Sequence, residues 1–193
     1  MSAGKGLVHV RTGGWTLVNL LALLDLTQTA EPQLHATLQA KTKRLLKEIL
    51  AIDPRRYEGV IHAGITTEAL ARYHRQYGQQ DPKVARQALD RIIEIATLYA
   101  KEQWSDADHE FYYRVDNHKM TLEYGSYLLL FGLAYAAEHT EDQAVRSLLT
   151  DRIETLVSGA GQPAKTVKGF GMKFRSSYQA LGVLEEPQGV PKR

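Results

Sequence analysis

The densest run of chemically capable residues is Trp104-Ser-Asp-Ala-Asp-His-Glu-Phe-Tyr-Tyr113. It carries three carboxylates, Asp106, Asp108 and Glu110, among aromatic side chains. Aromatic faces stack on pyranose rings, and carboxylates bond hydroxyls or move protons. Glycoside hydrolysis needs two carboxyl groups a fixed distance apart across the scissile bond, one the acid and the other a base or nucleophile. Asp108 is the first candidate, with Asp106 and Glu110 beside it. The competing reading makes these three solvated loop charges, or caps for a helix that starts near residue 120.

Other candidates lie outside this run. His9, Arg11 and Trp15 precede or open the first helix, and an arginine with a histidine there could bind a carboxylate or polarise a substrate oxygen. Structurally, Arg11 would bridge a neighbouring loop and Trp15 would plug the core. Tyr57 and His62 belong to a second link, with His62 either a general base or a satisfied structural histidine. Tyr113, His118 and Lys119 follow an order that would suit proton abstraction beside a carboxylate. Lys165 to Arg175 is basic with interleaved aromatics, which suits an acidic polysaccharide, a phosphate, or an ordinary entry to a last helix. His35, His74, His109 and His139 are scattered and expected mostly on the surface. Gly169-Phe-Gly171 lacks the strand and third glycine of a phosphate-binding loop. No His-x-x-x-His spacing points to zinc, and no Gly-x-Ser-x-Gly elbow points to a serine hydrolase. No cofactor and no metal are expected.

The elements that must position these residues are helical. Apolar residues recur at helical spacing almost throughout, and no run alternates convincingly with period two. The pattern predicts helices near 14–27, 32–51, 65–77, 82–103, 120–139, 141–158 and 168–184. The first and fifth are apolar nearly all round, through Leu17 to Leu24 and Leu128 to Ala134, which predicts burial on most sides. Helix 82–103 is amphipathic, with Val84, Ala88, Ile92, Ile95 and Leu98 on one stripe and Lys83, Arg86, Arg91 and Glu94 facing away. Short turns join the members of each pair: Thr29 to Pro32, Gln80 to Pro82 and Thr140 to Gln143. Asp81-Pro82 is an N-cap followed by proline at the first helical position. Thr140 with Gln143 reads as a capping box, and Gly78 as a left-handed C-terminal residue. The longer links 52–63, 104–119 and 159–167, with segment 1–13, then fall together at one end of the stack, and the tight turns at the other.

Composition sets the remaining bounds. The 193 residues are 44% hydrophobic and 24% charged, an ordinary globular balance. They predict one helical-hairpin domain over 1–185 and a loose tail over 186–193. With 24 basic and 22 acidic residues the net charge is only +2, so charge implies no nucleic-acid partner. The absence of cysteine excludes disulfides and thiolate chemistry. The stretch Leu17 to Leu26 is too short to span a bilayer. Lys5, His9 and Arg11 are followed by no small-residue cleavage site, so a soluble chain without membrane contact is expected.

Apolar inner helix, Asp-Pro turn, amphipathic outer helix and aromatic crossover together resemble the (α/α) toroids of six-hairpin glycosidases and related lyases and epimerases. His9-Val-Arg-Thr-Gly-Gly-Trp15, Leu70-Ala-Arg-Tyr73 through Asp81-Pro82, and Leu133-Ala-Tyr-Ala-Ala-Glu138 into Thr140 carry the resemblance, which covers most of residues 9–158. It implies an all-α fold of repeated antiparallel αα-hairpins, a partial (α/α) toroid or helical array. It also implies a saccharide ligand and, if the domain is catalytic, a glycoside hydrolase or polysaccharide lyase. A full ring needs about twelve helices and about seven are legible, so the remainder of a longer chain or another subunit is an expected partner. The alternative is a non-enzymatic helical-repeat scaffold that binds a protein partner.

Overall fold

The computed structural model describes residues 10–160 together with Gly171, Lys173, Ser177, Ala180 and Gly182. Six helices dominate, with 76% helix and one small sheet. They are α1 (Val10–Thr27), α2 (Pro32–Leu50), α3 (Val60–Tyr77), α4 (Pro82–Glu102), α5 (Glu123–His139) and α6 (Gln143–Ala160). A single 3-10 turn, Pro54–Arg56, lies between α2 and α3. The expected helix over 168–184 lies mostly outside the described residues, as does the tail.

Consecutive helices pack as pairs, α1 on α2, α3 on α4 and α5 on α6. Helices α1, α3 and α5 also lie side by side, with α3 between the other two. Glycines let them come that close. A Cβ on Gly64 would stand 2.7 Å from the Leu128 carbonyl carbon, and one on Gly132 would overlap the Thr67 hydroxyl. Leu21, Leu24, Ile92, Leu130 and Leu133 are all buried, as their periodicity predicts. Helix α5 is buried along its whole middle, from Gly125 to Ala137. Helix α1 differs from expectation, because Leu23 is 45% and Leu26 74% exposed. It packs on both α2 and α3, and these two leucines lie on its uncovered side.

The caps also differ in part. Asp81 caps α4 as expected, accepting from the Val84 N–H at 3.3 Å. At α6 the cap is Asp142, whose carboxylate accepts from the Ala144 and Val145 N–H groups at 2.8 and 3.1 Å. Thr140 instead ends α5 through its own N–H to the Ala136 carbonyl. Gly78 keeps right-handed geometry, with φ −54° and ψ −37°, so no left-handed cap forms there.

The largest departure is the link 104–119, expected as a loop. It folds into an antiparallel sheet of β1 (Trp104–Ser105), β2 (Glu110–Arg114) and β3 (Asn117–Thr121), in the order β1-β2-β3. Helix α5 consequently begins at Glu123 rather than near 120. The strands are too short to alternate visibly, and β2 buries its first two residues in succession. His109 closes the β1–β2 turn at φ 55°, a left-handed conformation that costs a non-glycine residue about 1–2 kcal/mol.

Candidate functional site

The links 52–63 and 104–119 meet at one end, while most of 1–13 and of 159–167 lies outside the described residues. Gly59, just before α3, pairs with Arg114 of β2, and a Cβ on Gly59 would overlap the Tyr113 carbonyl oxygen. Arg152 of α6 reaches Asp106 at 3.5 Å and Asp151 at 3.0 Å, tying the β1–β2 turn to α6. The tight turns lie at the opposite end, where the Gln76 amide donates to Asp25 at 2.9 Å and His74 bonds the Tyr135 hydroxyl at 2.7 Å.

Between the β1–β2 turn, α5 and α6 lies a cleft of about 740 Å³. Asp108 and Glu110 form the sheet side, Glu123 belongs to α5, and Asp151 and Glu154 come from α6. Glu110 is buried while Asp108 is exposed, so one wall carries an enclosed carboxyl beside an open one. Lys173 is the one ammonium among the described lining residues. It pairs with Glu123 at 2.8 Å, both side chains nearly enclosed, and stands 5.2 Å from the Tyr127 ring centre. The Tyr127 hydroxyl donates to the Leu156 carbonyl at 2.9 Å. Burial, reinforced by Glu123 and Glu110, pushes this phenol up to about 12, so it stays protonated and donating at neutral pH. Among the described lining residues five carboxylates face one lysine, so that part of the wall is negative. Among the described residues no group of three or more His, Asp and Glu side chains is placed to hold a metal ion.

Of the candidate catalytic and substrate-binding residues, the structure brings Asp108 and Glu110 into this lining, joined by His109 of the same run and by Lys173 of the basic stretch 165–175. Asp108 also shapes the turn, accepting from the Ser105 hydroxyl at 3.0 Å while its own N–H donates back to that oxygen at 3.2 Å. Asp106 points outward and pairs with Arg152. Trp104 is buried, edge-on to Phe111 with ring centres 5.0 Å apart and with the Arg152 guanidinium 4.7 Å over its ring. That cation occupies the position a sugar would take. Tyr57 is a core residue whose hydroxyl burial pushes up to about 12. His62 is buried in the first turn of α3, 3.9 Å from Glu58. Tyr113 is exposed on β2, away from the cleft, and His118 stacks on Tyr112 at 4.3 Å with its Nε2 3.2 Å from the Gln103 amide oxygen. Trp15 is half-buried on α1. His9 and the Arg11 side chain lie outside the described residues, as does most of the basic stretch 165–175.

Sequence reasoning missed Glu123, Tyr127, Asp151 and Glu154, and it named Lys173 only within the basic stretch 165–175. The i, i+3 spacing of Asp151 and Glu154 puts both on one face of α6, but that face reads as ordinary solvent surface until the sheet folds beside it. The histidines are also less scattered than expected. His74, Tyr135 and His139 form one cluster, with His139 stacked on Tyr135 at 4.2 Å.

Comparison with known protein families, curated proteins and solved structures yields no significant match for this chain.

Proposed function

We propose that this is a carbohydrate-active helical-hairpin domain whose site is the acidic cleft at the crossover end. The observation that carries this reading is the convergence of Asp108, Glu110, Glu123, Asp151 and Glu154 on one concavity of about 740 Å³. Such a lining accepts hydrogen bonds from many hydroxyls at once, and an enclosed carboxyl beside an exposed one supplies the two unlike environments that acid–base chemistry requires. The negative charge of the described lining disfavours uronate polymers and favours neutral or amino saccharides. Within the carbohydrate reading this turns the choice from polysaccharide lyase to glycoside hydrolase, with Glu110 as the acid and Asp108 as its partner.

A second reading is a protein-binding scaffold, favoured by the exposed Leu23 and Leu26 on α1 and by a Trp104 already covered by Arg152. One experiment separates the two. Neutral and amino oligosaccharides are titrated into the protein and its Glu110→Gln and Asp108→Asn variants, with binding followed by isothermal titration calorimetry and hydrolysis by release of reducing ends. Turnover abolished by Glu110→Gln, with binding retained, supports the hydrolase. Absence of binding across the panel transfers the assignment to the scaffold.

A further inference from the structure

Among the described residues five large apolar side chains are left exposed, and three of them share one hairpin. Leu23 and Leu26 lie near the end of α1, 45% and 74% exposed, and Leu34 lies near the start of α2, 42% exposed. Helix α2 turns Leu38, Thr42, Leu45, Leu46 and Ile49 inward. Lys41 follows Leu34 by two turns on the same side, and Lys43, Arg44 and Lys47 continue around the outer face, all of them exposed. Arg55 and Arg56 extend the basic run through the 3-10 turn.

Elsewhere Arg72, Arg86, Arg114 and Arg152 are each held by a carboxylate. Lys41, Lys43, Lys47 and Arg56, by contrast, make no hydrogen bond or ion pair among the described residues. Most nearby carboxylates are already engaged. Asp25 accepts from the Gln76 amide, Glu48 from Arg44 and Asp53 from the Arg55 N–H, which leaves Glu31 on the α1–α2 turn.

Charge and apolarity together decide what this edge meets. A second copy on a two-fold axis would bring two basic edges together, which like charge opposes. A nucleic acid answers the lysines and leaves the leucines in water. Toward the start of α1 the flank turns polar, with Thr12, Thr16 and Asn19 exposed. The leucines are thus confined to the hairpin tip, a wedge rather than the broad apolar core that a protein partner buries. An anionic bilayer answers both features, its acyl boundary taking the leucines and its headgroups the lysines. No described helix is long and apolar enough to cross a bilayer, so the contact is with its surface. Helix α4 contacts both α2 and α6, so α2 and the acidic cleft beside α6 lie on either side of it. That separation keeps the cleft off a negative surface. We infer that the outer edge of the α1–α2 hairpin, through Leu23, Leu26, Leu34, Lys41, Lys43 and Lys47, docks on an anionic lipid surface. The inference holds whether or not the cleft is catalytic.

The test sediments the whole chain with vesicles of phosphatidylcholine alone and of phosphatidylcholine with about one-third phosphatidylserine. Binding to the anionic vesicles is expected, weakened by high salt, with little binding to the neutral ones. Lys41→Gln, Lys43→Gln and Lys47→Gln combined should weaken it about a hundredfold, at about fivefold per cation. Leu26→Ala with Leu34→Ala should weaken it at least about tenfold. Both variants change exposed side chains and should melt as the parent does. Lys119→Gln with Met120→Ala, an exposed basic and apolar pair on β3, should leave binding unchanged. The inference is overturned if anionic vesicles are not bound, if neutral vesicles bind equally well, or if either hairpin variant binds as the parent does. It also falls if the β3 variant abolishes binding, if the chain self-associates through this edge, or if duplex DNA or polyglutamate binds there more tightly than the vesicles.

Discussion

His74 shows how one side chain records its neighbours. It is partly buried on α3, bonds the Tyr135 hydroxyl, and faces His139 from α5 and Arg86 from α4. Burial, then the two neighbouring cationic or potentially cationic groups, lower its pKa below the usual 6.5. The unfolded chain therefore takes up this proton first as pH falls. The contribution of His74 is complete above about pH 6.5 and declines as pH drops from there toward its folded value. Melting temperatures recorded from pH 8 down to 5 should fall across that window. His74→Gln, which keeps an acceptor for Tyr135 but cannot titrate, should flatten the decline. An unchanged profile in the variant would show that other groups govern acid stability.

At the scale of elements, helix ends and helix contacts give separate expectations. Asp142→Ala removes the acceptor of two N–H groups at the start of α6 and should cost about 1 kcal/mol. Gln143→Ala should cost almost nothing, because no capping box forms; equal losses from the two would restore the box. Between α3 and α5 the decisive position is Gly64. Alanine there gains about 1 kcal/mol of helix propensity but places a methyl 2.7 Å from the Leu128 carbonyl carbon, where backbone must move. Overpacking of that kind costs about 1–3 kcal/mol. Gly64→Ala should therefore lower stability in denaturant titration, whereas alanine at exposed Gly171, with nothing near its Cβ, should not.

Over the whole molecule, support is uneven. Helices α3 and α5 are enclosed on nearly every side, while α1 packs on α2 and α3 and exposes Leu23 and Leu26. Local opening is easiest where few apolar contacts hold an element. Amide exchange should thus be slowest in α3 and α5, with α1 opening well before the global transition. Equal protection of all three would mean that the outer flank of α1 is covered in solution.

Much of this architecture was legible in the sequence, because helical periodicity and proline-marked starts are local signals. Leu130 and Leu133 are buried as their pattern demands, and Asp81-Pro82 starts α4 where the dipeptide places it. Helix alternation sent the links 52–63 and 104–119 to one end, where Gly59 pairs with Arg114. The site was only partly legible. Asp108 and Glu110 stood out, yet Glu123, Asp151 and Glu154 become their neighbours only when β1 and β2 fold against α5 and α6. The placement of the tryptophan was likewise a tertiary outcome. Trp104 has the residue type of a sugar platform, but Phe111 and Arg152, seven and forty-eight positions away, take its ring into the core. Sequence by itself determined which segments are helical and which ends gather the links, because those follow from contacts within a few residues. Only the tertiary structure decided which carboxylates share a cleft and which aromatics are buried, because those depend on contacts between segments far apart in the chain.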